Sequence, residues 1–160
     1  MPPICWHMVT ASDAVSLVKD PLLKRYSGAF LLGSTAPDIR IMTNVPREET
    51  HFYDLSKEDA ESGLSRMLAV SPHLARAEDL TEATRAFVSG YLTHLAVDEM
   101  WICQIYRPFF GKGSPLGGDP DADVLDRVLQ FEMDLRERHN RELMDSIRSQ
   151  IDESVAREGF

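Results

Sequence analysis

The side chains best suited to chemistry in this sequence are a histidine and an aspartate four residues apart, His94 and Asp98. On an α-helix this spacing puts both on one face, one turn apart, so that an imidazole nitrogen and a carboxylate oxygen can reach the same cation. Apolar residues surround the pair on almost every side of the predicted helix, which indicates burial. A buried carboxylate needs a partner, because desolvation penalises an unpaired charge. The pair is therefore either part of a metal site or a His–Asp hydrogen bond that stabilises a core helix.

Three more residues, from separate segments, favour the metal site. His7 precedes the first predicted helix, Asp38 follows a proline at the boundary between a helix and a loop, and His51 lies in an acidic segment. A Pro-Asp pair by itself is also typical of an ordinary turn. Together with His94 and Asp98, these residues form a set of three imidazoles and two carboxylates. Cys5 is close enough to His7 in sequence to be a soft ligand, but the carboxylate-rich set favours harder nitrogen and oxygen coordination.

The elements that must position these residues are predicted to be helices. Apolar residues recur at spacings of three and four, whereas alternation typical of strands is hard to find. We therefore expect an all-α fold, with residues 1–160 forming a single domain, a bundle of about five to seven helices around the metal site. Caps and breakers place the predicted helices at residues 11–19, 22–32, 56–70, 82–106 and 121–155, with Ser56 and Asp59 starting the third and Thr81 capping the fourth.

The composition excludes several other classes of protein. Of 160 residues, 43% are hydrophobic and 27% are charged, which is not the composition of a disordered or collagen-like chain. No run of about 18 apolar residues occurs, so no transmembrane segment is predicted. The net charge of −9 makes duplex nucleic acid a poor partner. The first residues do not resemble a signal peptide, which predicts a cytoplasmic location. Nothing in the sequence indicates the oligomeric state.

Four motifs occur in an order that resembles a known family. They are a histidine near the first helix, a Gly-x-x-x-Pro-Asp turn, a His-Phe pair, and a Gly-Tyr-Leu-x-His-x-x-x-Asp helix. In this chain they correspond to His7, residues 33–38, residues 51–52 and residues 90–98. The sequence is similar here to the zinc-dependent phospholipases C and the related zinc-dependent single-strand nucleases. The resemblance covers about the first 110 residues.

The resemblance implies a helical fold built around zinc. Asp38, His51, His94 and Asp98 would hold one ion, and Asp98 would bridge to a second ion held also by His7. In the family an N-terminal tryptophan supplies its amine and carbonyl to that second ion. Five residues precede Trp6 here, so the amine ligand is lost, although the Trp6 carbonyl could still reach the ion, and a weaker second site is expected.

The third metal position of the family is altered in this sequence. It uses a histidine six residues beyond the bridging aspartate, where this chain has Gln104, and a later His-x-x-x-Glu pair. His139 and Glu142 are the nearest downstream candidates, but they are three residues apart rather than four. The alternative is a core or boundary role for His139 and an ion pair between Glu142 and Arg138. We therefore expect one or two zinc ions rather than three.

The predicted function is that of a metal-dependent hydrolase acting on a small phosphoester. A divalent ion can lower the pKa of bound water from about 15.7 to about 7, which supplies hydroxide at neutral pH. Asp38 and Asp98 are the candidate catalytic residues, because either could orient the water as well as coordinate the ion. Arg40 and Arg47 are candidates to bind the substrate phosphate, or else plain surface residues. The adjacent pair of residues 48–49, both glutamates, could accept a hydrogen bond from an imidazole.

Two other functions fit the same residues. The site could hold iron or manganese and serve a different reaction, such as a step in a biosynthetic pathway. It could also be a structural metal site in a non-catalytic domain. A closed site with four protein ligands would favour the structural role, whereas an open position facing a pocket would favour catalysis.

Overall fold

A computed structural model of the chain describes residues 2–53 and 61–159. All regular structure within these ranges is helical, which confirms the predicted all-α class. The described residues form nine α-helices: α1 Ile4–Val18, α2 Pro21–Arg25, α3 Ser27–Gly33, α4 Arg40–Thr43, α5 Arg47–His51, α6 Gly63–Val70, α7 Glu82–Trp101, α8 Ala122–His139 and α9 Arg141–Glu158. The count exceeds the expected five to seven because α2, α4 and α5 are single turns of four or five residues.

Shorter helical segments connect several of these helices. Three are 3₁₀-helices, at Ala36–Ile39, Pro72–Ala75 and Ala77–Asp79. The chain continues from α7 into a π-helix, Ile102–Phe110, so the helix predicted to end at residue 106 changes its hydrogen bonding at residue 102 instead. Thr81 caps α7 as predicted, because its side chain accepts a hydrogen bond from the Thr84 amide at 3.1 Å.

Two predicted helix boundaries are wrong at the start of the chain, and a third prediction lies outside the described residues. Helix α1 begins at Ile4 rather than near residue 11, and its buried face already includes Cys5. The helix predicted over residues 22–32 breaks at Tyr26, whose φ of −114° and ψ of 36° are not helical. The predicted cap at Ser56 and Asp59 lies outside the described residues. The described α6 is capped by Ser62.

The long last helix of the sequence prediction is two helices. Asn140 separates α8 from α9, and its side-chain oxygen accepts a hydrogen bond from the Leu143 amide at 3.2 Å. Asparagine is a preferred N-cap residue because it satisfies an amide that has no partner inside the helix. The apolar spacing continues across this cap, so periodicity alone did not reveal the break.

Helix α3 lies at the centre of the described fold and packs extensively on α7 and α9. Its buried side chains include Phe30 and Leu31, which join a core with Ala86 of α7 and Ile147 of α9. Two glycines permit the close approach of α3 and α7. A Cβ atom at Gly33 would lie 2.0 Å from the Phe87 carbonyl oxygen, and one at Gly90 would lie 1.9 Å from the Phe30 carbonyl oxygen.

Helix α8 buries a polar face. Its buried residues are Ala122, Asp126, Gln130 and Asp134. Asp126 Oδ1 accepts a hydrogen bond from Trp101 Nε1 at 3.1 Å, and Asp126 Oδ2 accepts one from Gln130 Nε2 at 2.6 Å. The bond from Trp101 fixes α8 beside the end of α7, and the bond from Gln130, within α8, satisfies the second oxygen of Asp126. In the described part of the chain, no helix has the length and apolar character needed to cross a membrane.

Candidate metal centre

The structure brings together the five residues predicted to bind metal. His7 comes from α1, Asp38 from the 3₁₀-helix after α3, His51 from the last position of α5, and His94 and Asp98 from successive turns of α7. We call this group the His/Asp cluster. Its members span residues 7 to 98, so the packing of four helical segments is needed to assemble it.

Asp98 lies between the two sides of the cluster. Its Oδ1 atom is 3.4 Å from His7 Nε2, while its Oδ2 atom is 3.4 Å from His51 Nε2 and 3.7 Å from His94 Nε2. Asp38 Oδ1 lies 3.6 Å from His51 Nε2. The potential ligand atoms form two overlapping groups, each with its atoms within 4.8 Å of one another: His7, His94 and Asp98, and Asp38, His51 and His94.

Burial of the cluster is nearly complete. The exposed fraction is 2% for His7, 0% for His51, 1% for His94 and 3% for Asp98. Asp38 is half-buried and is the most accessible member. Water therefore cannot stabilise these polar groups as it does at the surface, and their partners must come from the protein or from a ligand.

The hydrogen bond of His94 defines which of its ring nitrogens carries the proton. His94 Nδ1 lies 2.8 Å from the backbone carbonyl oxygen of Ser34. A carbonyl oxygen only accepts, so Nδ1 is the protonated donor and Nε2 presents a lone pair to the cluster. The close packing of α3 on α7 at Gly33 and Gly90 brings the Ser34 carbonyl to this position.

His51 is oriented in the same way by its neighbour. His51 Nδ1 lies 2.8 Å from Thr50 Oγ1, and the Thr50 hydroxyl donates to the Arg47 carbonyl oxygen at 3.3 Å. With its proton directed to that carbonyl, the Thr50 oxygen can accept the proton of His51 Nδ1, and this is the tautomer that a metal ion bound at Nε2 requires. His51 Nε2, like His94 Nε2, is left with a lone pair.

Two lone pairs that face each other need a cation between or beside them. The Nε2 atoms of His51 and His94 are 3.3 Å apart, with the Asp98 carboxylate next to both. Both ring nitrogens of His7 and the Oδ1 atom of Asp98 are buried without a hydrogen-bond partner among the described residues. Buried polar atoms of this kind carry a desolvation penalty unless something binds them. The donor set and its unsatisfied atoms fit a zinc ion.

The electrostatic environment favours the ligating forms of these groups. Burial, together with the charge of His7, lowers the pKa of His94 to about 4. Burial by itself raises the pKa of Asp98 and of Asp38, but the electrostatic effect of the neighbouring imidazoles outweighs it and holds both pKa values below the usual range. At neutral pH His94 is therefore neutral and both carboxylates are ionised, as metal binding requires.

A cavity of about 540 Å³ opens beside the cluster. Asp38 and Asp98 line it, together with Arg40 and Arg47, the two arginines predicted to bind phosphate. Arg47 Nη2 donates to Asp98 Oδ2 at 2.9 Å, so this guanidinium lies directly against the cluster. The cluster thus adjoins a space large enough for a small molecule, with cationic side chains in its wall.

Other predicted site residues do not join the cluster. His139 and Glu142 are exposed at the break between α8 and α9, and neither belongs to the groups of potential metal ligands in the described residues. Arg138 pairs with Asp134 at 2.6 Å rather than with Glu142. The Asn140 cap separates His139 and Arg138 on α8 from Glu142 on α9, because it ends the continuous helix on which these spacings were counted.

The sequence also did not reveal the groups that orient the imidazoles. Residues 48 and 49, the two glutamates proposed for this role, are exposed, whereas the Thr50 hydroxyl and the Ser34 carbonyl perform it. Thr50 could have been found from its position next to His51. A backbone carbonyl has no residue type to mark it, so Ser34 could not.

The family comparison covers all five members of the cluster. A model of the zinc-dependent phospholipase C family matches residues 6–101. Neither the curated proteins nor the solved structures contain a significant match to this chain. The family match and the buried His/Asp groups support zinc and give no support to iron or manganese. Because the matched residues make up more than half of the sequence, the chain belongs to the zinc-dependent phospholipase C family.

Proposed function

We propose that this chain is a zinc-dependent hydrolase of small phosphoesters, with zinc held by the His/Asp cluster and substrate in the adjoining cavity. One observation carries the proposal. The Nε2 lone pairs of His51 and His94 face each other at 3.3 Å beside the Asp98 carboxylate, at the wall of a cavity that also contains arginines. An electron-rich cluster next to a cationic pocket suits a metal ion that acts on a phosphate group.

We assign the main zinc site to Asp38, His51, His94 and Asp98. The two oxygens of Asp98 support a bridging role toward a second ion, because one faces His51 and His94 and the other faces His7. The Trp6 nitrogen is an amide that donates to the Pro3 carbonyl oxygen at 3.0 Å, so it supplies no amine ligand. The second site therefore has fewer protein donors and should bind zinc more weakly.

Zinc bound here would act as a Lewis acid and would lower the pKa of a bound water molecule, to about 7 in favourable cases. The protein groups have separate tasks. Asp38 lines the cavity and, as the most accessible member of the cluster, is placed to accept a hydrogen bond from the attacking water. Arg40 and Arg47 can donate to the non-bridging oxygens of the phosphate and so hold the ester in place.

A structural zinc ion is the second candidate role. The nearly complete burial of His7, His51, His94 and Asp98 favours it, since structural zinc sites are closed by protein ligands. The cavity favours catalysis, because two carboxylates of the cluster line it. Activity measurements separate the two roles.

The test is hydrolysis of a panel of small phosphomonoesters and phosphodiesters by the zinc-loaded protein. We expect turnover of at least one of them, and we expect His94→Ala to lose both zinc and activity. His73→Ala is the matched control, because His73 is an exposed histidine on the 3₁₀-helix Pro72–Ala75 and should keep both. Stoichiometric zinc with no turnover of any ester would indicate the structural role. Full activity of His94→Ala would contradict the site itself.

A further inference from the structure

The cavity beside the His/Asp cluster is positively charged on an acidic molecule. Its charged lining residues are Arg40, Arg47, Arg127, Asp38 and Asp98. Three positive and two negative side chains leave a formal charge of +1, and one bound zinc ion would raise it to +3. The whole chain has a net charge of −9. Positive side chains that line a cavity concentrate their electric field inside it, so the cavity attracts anions although the whole molecule is negative.

The three arginines differ in how their charge is compensated. Arg47 is paired with Asp98 at 2.9 Å. Arg40 and Arg127 form no ion pair with any described residue, and the Nε atom of Arg40 is buried without a hydrogen-bond partner there. Two guanidinium groups are thus available for two negative charges on a bound molecule. Guanidinium groups match the geometry of phosphate oxygens closely.

Arg127 lies in the cavity wall as an exposed residue of α8, next to the buried polar face of that helix. Asp126, its neighbour in sequence, accepts the hydrogen bond from Trp101 Nε1, and this bond fixes α8 beside the end of α7. Gln130, one turn further along α8, also lines the cavity and donates to Asp126. Helix α8 lies outside the residues that the family model matches, so Arg127 is a feature of this chain beyond the family segment.

The remaining wall of the cavity is apolar. Ile41, Met42 and Phe131 line it, and all three side chains are largely exposed. An apolar edge beside guanidinium groups suits a phosphate attached to a hydrophobic group. The acidic and amide side chains that line the cavity are the two aspartates of the cluster and Gln130, so few groups could bind a cationic substituent.

We propose that this cavity binds phosphate monoesters, as dianions, in preference to phosphodiesters, and that Arg127 is a phosphate-binding residue. The proposal rests on the phosphoester hydrolase function given above and narrows its substrate class. A monoester carries nearly two negative charges at neutral pH, because its second ionisation has a pKa of about 6. A simple diester carries one. The second charge is the one that Arg40 and Arg127 can bind.

The test is a binding measurement that does not require turnover. Zinc-loaded protein is titrated by calorimetry, at mildly alkaline pH, with phenylphosphonate and with its monomethyl ester. In both probes a P–C bond joins the apolar ring to phosphorus, but phenylphosphonate is mainly doubly charged at this pH and its methyl ester is singly charged. We expect the dianion to bind about tenfold or more tightly than the monoanion, as the loss of one charge-assisted hydrogen bond would imply.

Variants of two arginines on the same helix make the test specific. Arg127→Gln should weaken dianion binding about tenfold and monoanion binding far less, with unchanged zinc content, and Arg127→Lys should restore part of the loss. The control is Arg136→Gln, because Arg136 is exposed on α8, pairs with Glu132 at 3.4 Å, and is not among the residues that line the cavity. It should match the wild type with both probes.

The outcomes distinguish this proposal from the function on which it rests. Equal binding of the two probes, binding of neither, or equal effects of Arg127→Gln and Arg136→Gln would overturn the proposal. Turnover of diesters with no preference for the dianion would overturn it while leaving the hydrolase function intact. Dianion preference that depends on Arg127, in a protein that hydrolyses no phosphoester, would support the binding site and reject the proposed function.

Discussion

At the scale of single residues, the groups that hold the imidazoles matter as much as the imidazoles themselves. Thr50 accepts the proton of His51 Nδ1 at 2.8 Å, and the Ser34 carbonyl accepts that of His94 Nδ1 at the same distance. Each bond directs an Nε2 lone pair into the His/Asp cluster. Partners of this kind orient metal ligands, and their removal commonly costs 10-fold to 100-fold in metal affinity, as an order of magnitude.

The Thr50 hydroxyl can be removed without a change in shape. We predict that Thr50→Val lowers zinc affinity by about 10-fold to 100-fold, because the Nδ1 proton of His51 loses its acceptor and the ring is less well oriented. Competition with a chromophoric chelator measures the affinity. Thr43→Val is the control, since its exposed hydroxyl donates to the Ile39 carbonyl away from the cluster. Equal zinc affinity in all three proteins would show that Thr50 does not orient His51.

A pH dependence follows from the buried His94. The pKa of His94 is about 4 in the folded protein, below its ordinary value of 6.5. As the pH falls through about 6.5, His94 therefore becomes protonated in the unfolded chain while it stays neutral in the folded protein. The stability present above about pH 6.5 is therefore lost progressively down to about pH 4. We predict that metal-free protein loses about 3 kcal/mol of unfolding free energy from this group over that window.

Urea denaturation of the metal-free protein at several pH values measures the effect. The low pKa values of Asp38 and Asp98 act in the same direction, but only near and below their ordinary value of 3.8. His94→Gln, which cannot titrate, should flatten the profile between about pH 6.5 and pH 4. An unchanged slope in that variant would assign the pH dependence to other groups.

At the scale of elements, the crossing of α3 and α7 positions the site. Gly33 and Gly90 allow the two backbones to approach, and this approach brings the Ser34 carbonyl to His94. A methyl group at position 90 would lie 1.9 Å from the Phe30 carbonyl oxygen and 2.9 Å from the Ser34 amide nitrogen. Neither is a flexible side chain, so one of the helices would have to move.

We predict that Gly90→Ala destabilises the protein by at least about 3 kcal/mol and also weakens zinc binding, because separation of the helices displaces the partner of His94. Chemical denaturation and zinc titration measure the two effects. Gly118→Ala provides the comparison, since no atom lies within 4 Å of its added Cβ, and it should change stability by less than about 0.5 kcal/mol. Equal stability of the two variants would mean that the crossing tolerates a side chain.

The helices and ligands were predictable from sequence to different extents. The five cluster residues were found because their types are rare and their motifs occur in order along the chain. The break at Asn140 was not, since apolar spacing continues past a cap that only local hydrogen bonding reveals. The start of α1 was not either, because no side chain caps this helix. Arg127 was also missed. It carries no motif, and the polar burial of α8 that places it depends on contacts with Trp101 of α7.

At the scale of the whole molecule, the His/Asp cluster joins the first helix to the seventh. A ligand bound by residues from α1, α5 and α7 cannot bind the unfolded chain in the same way, so binding must stabilise the fold. We predict that zinc at about 1,000 times its dissociation constant adds about 4 kcal/mol of stability, seen as a rise in Tm that a chelator reverses. His94→Ala should show no such rise. An identical Tm with zinc and with chelator would contradict a folded-state zinc site.

Two expectations at this scale stay predictions. One is that residues 1–160 form a single domain, and the other is the cytoplasmic location. The proposed preference for anionic substrates rests instead on the cavity, whose charged lining is positive on a chain with a net charge of −9.

X-ray absorption at the zinc edge tests the central claim most directly, since it reports the atoms bound to zinc. For the zinc-loaded protein we predict only nitrogen and oxygen neighbours, at about 2.0–2.2 Å, with an imidazole scattering pattern, and we predict that His94→Ala retains no zinc at this site. Cys5 is buried but does not belong to the His/Asp cluster among the described residues. A sulfur neighbour at about 2.3 Å, or an unchanged spectrum with full zinc content in both His94→Ala and Asp98→Ala, would contradict the account.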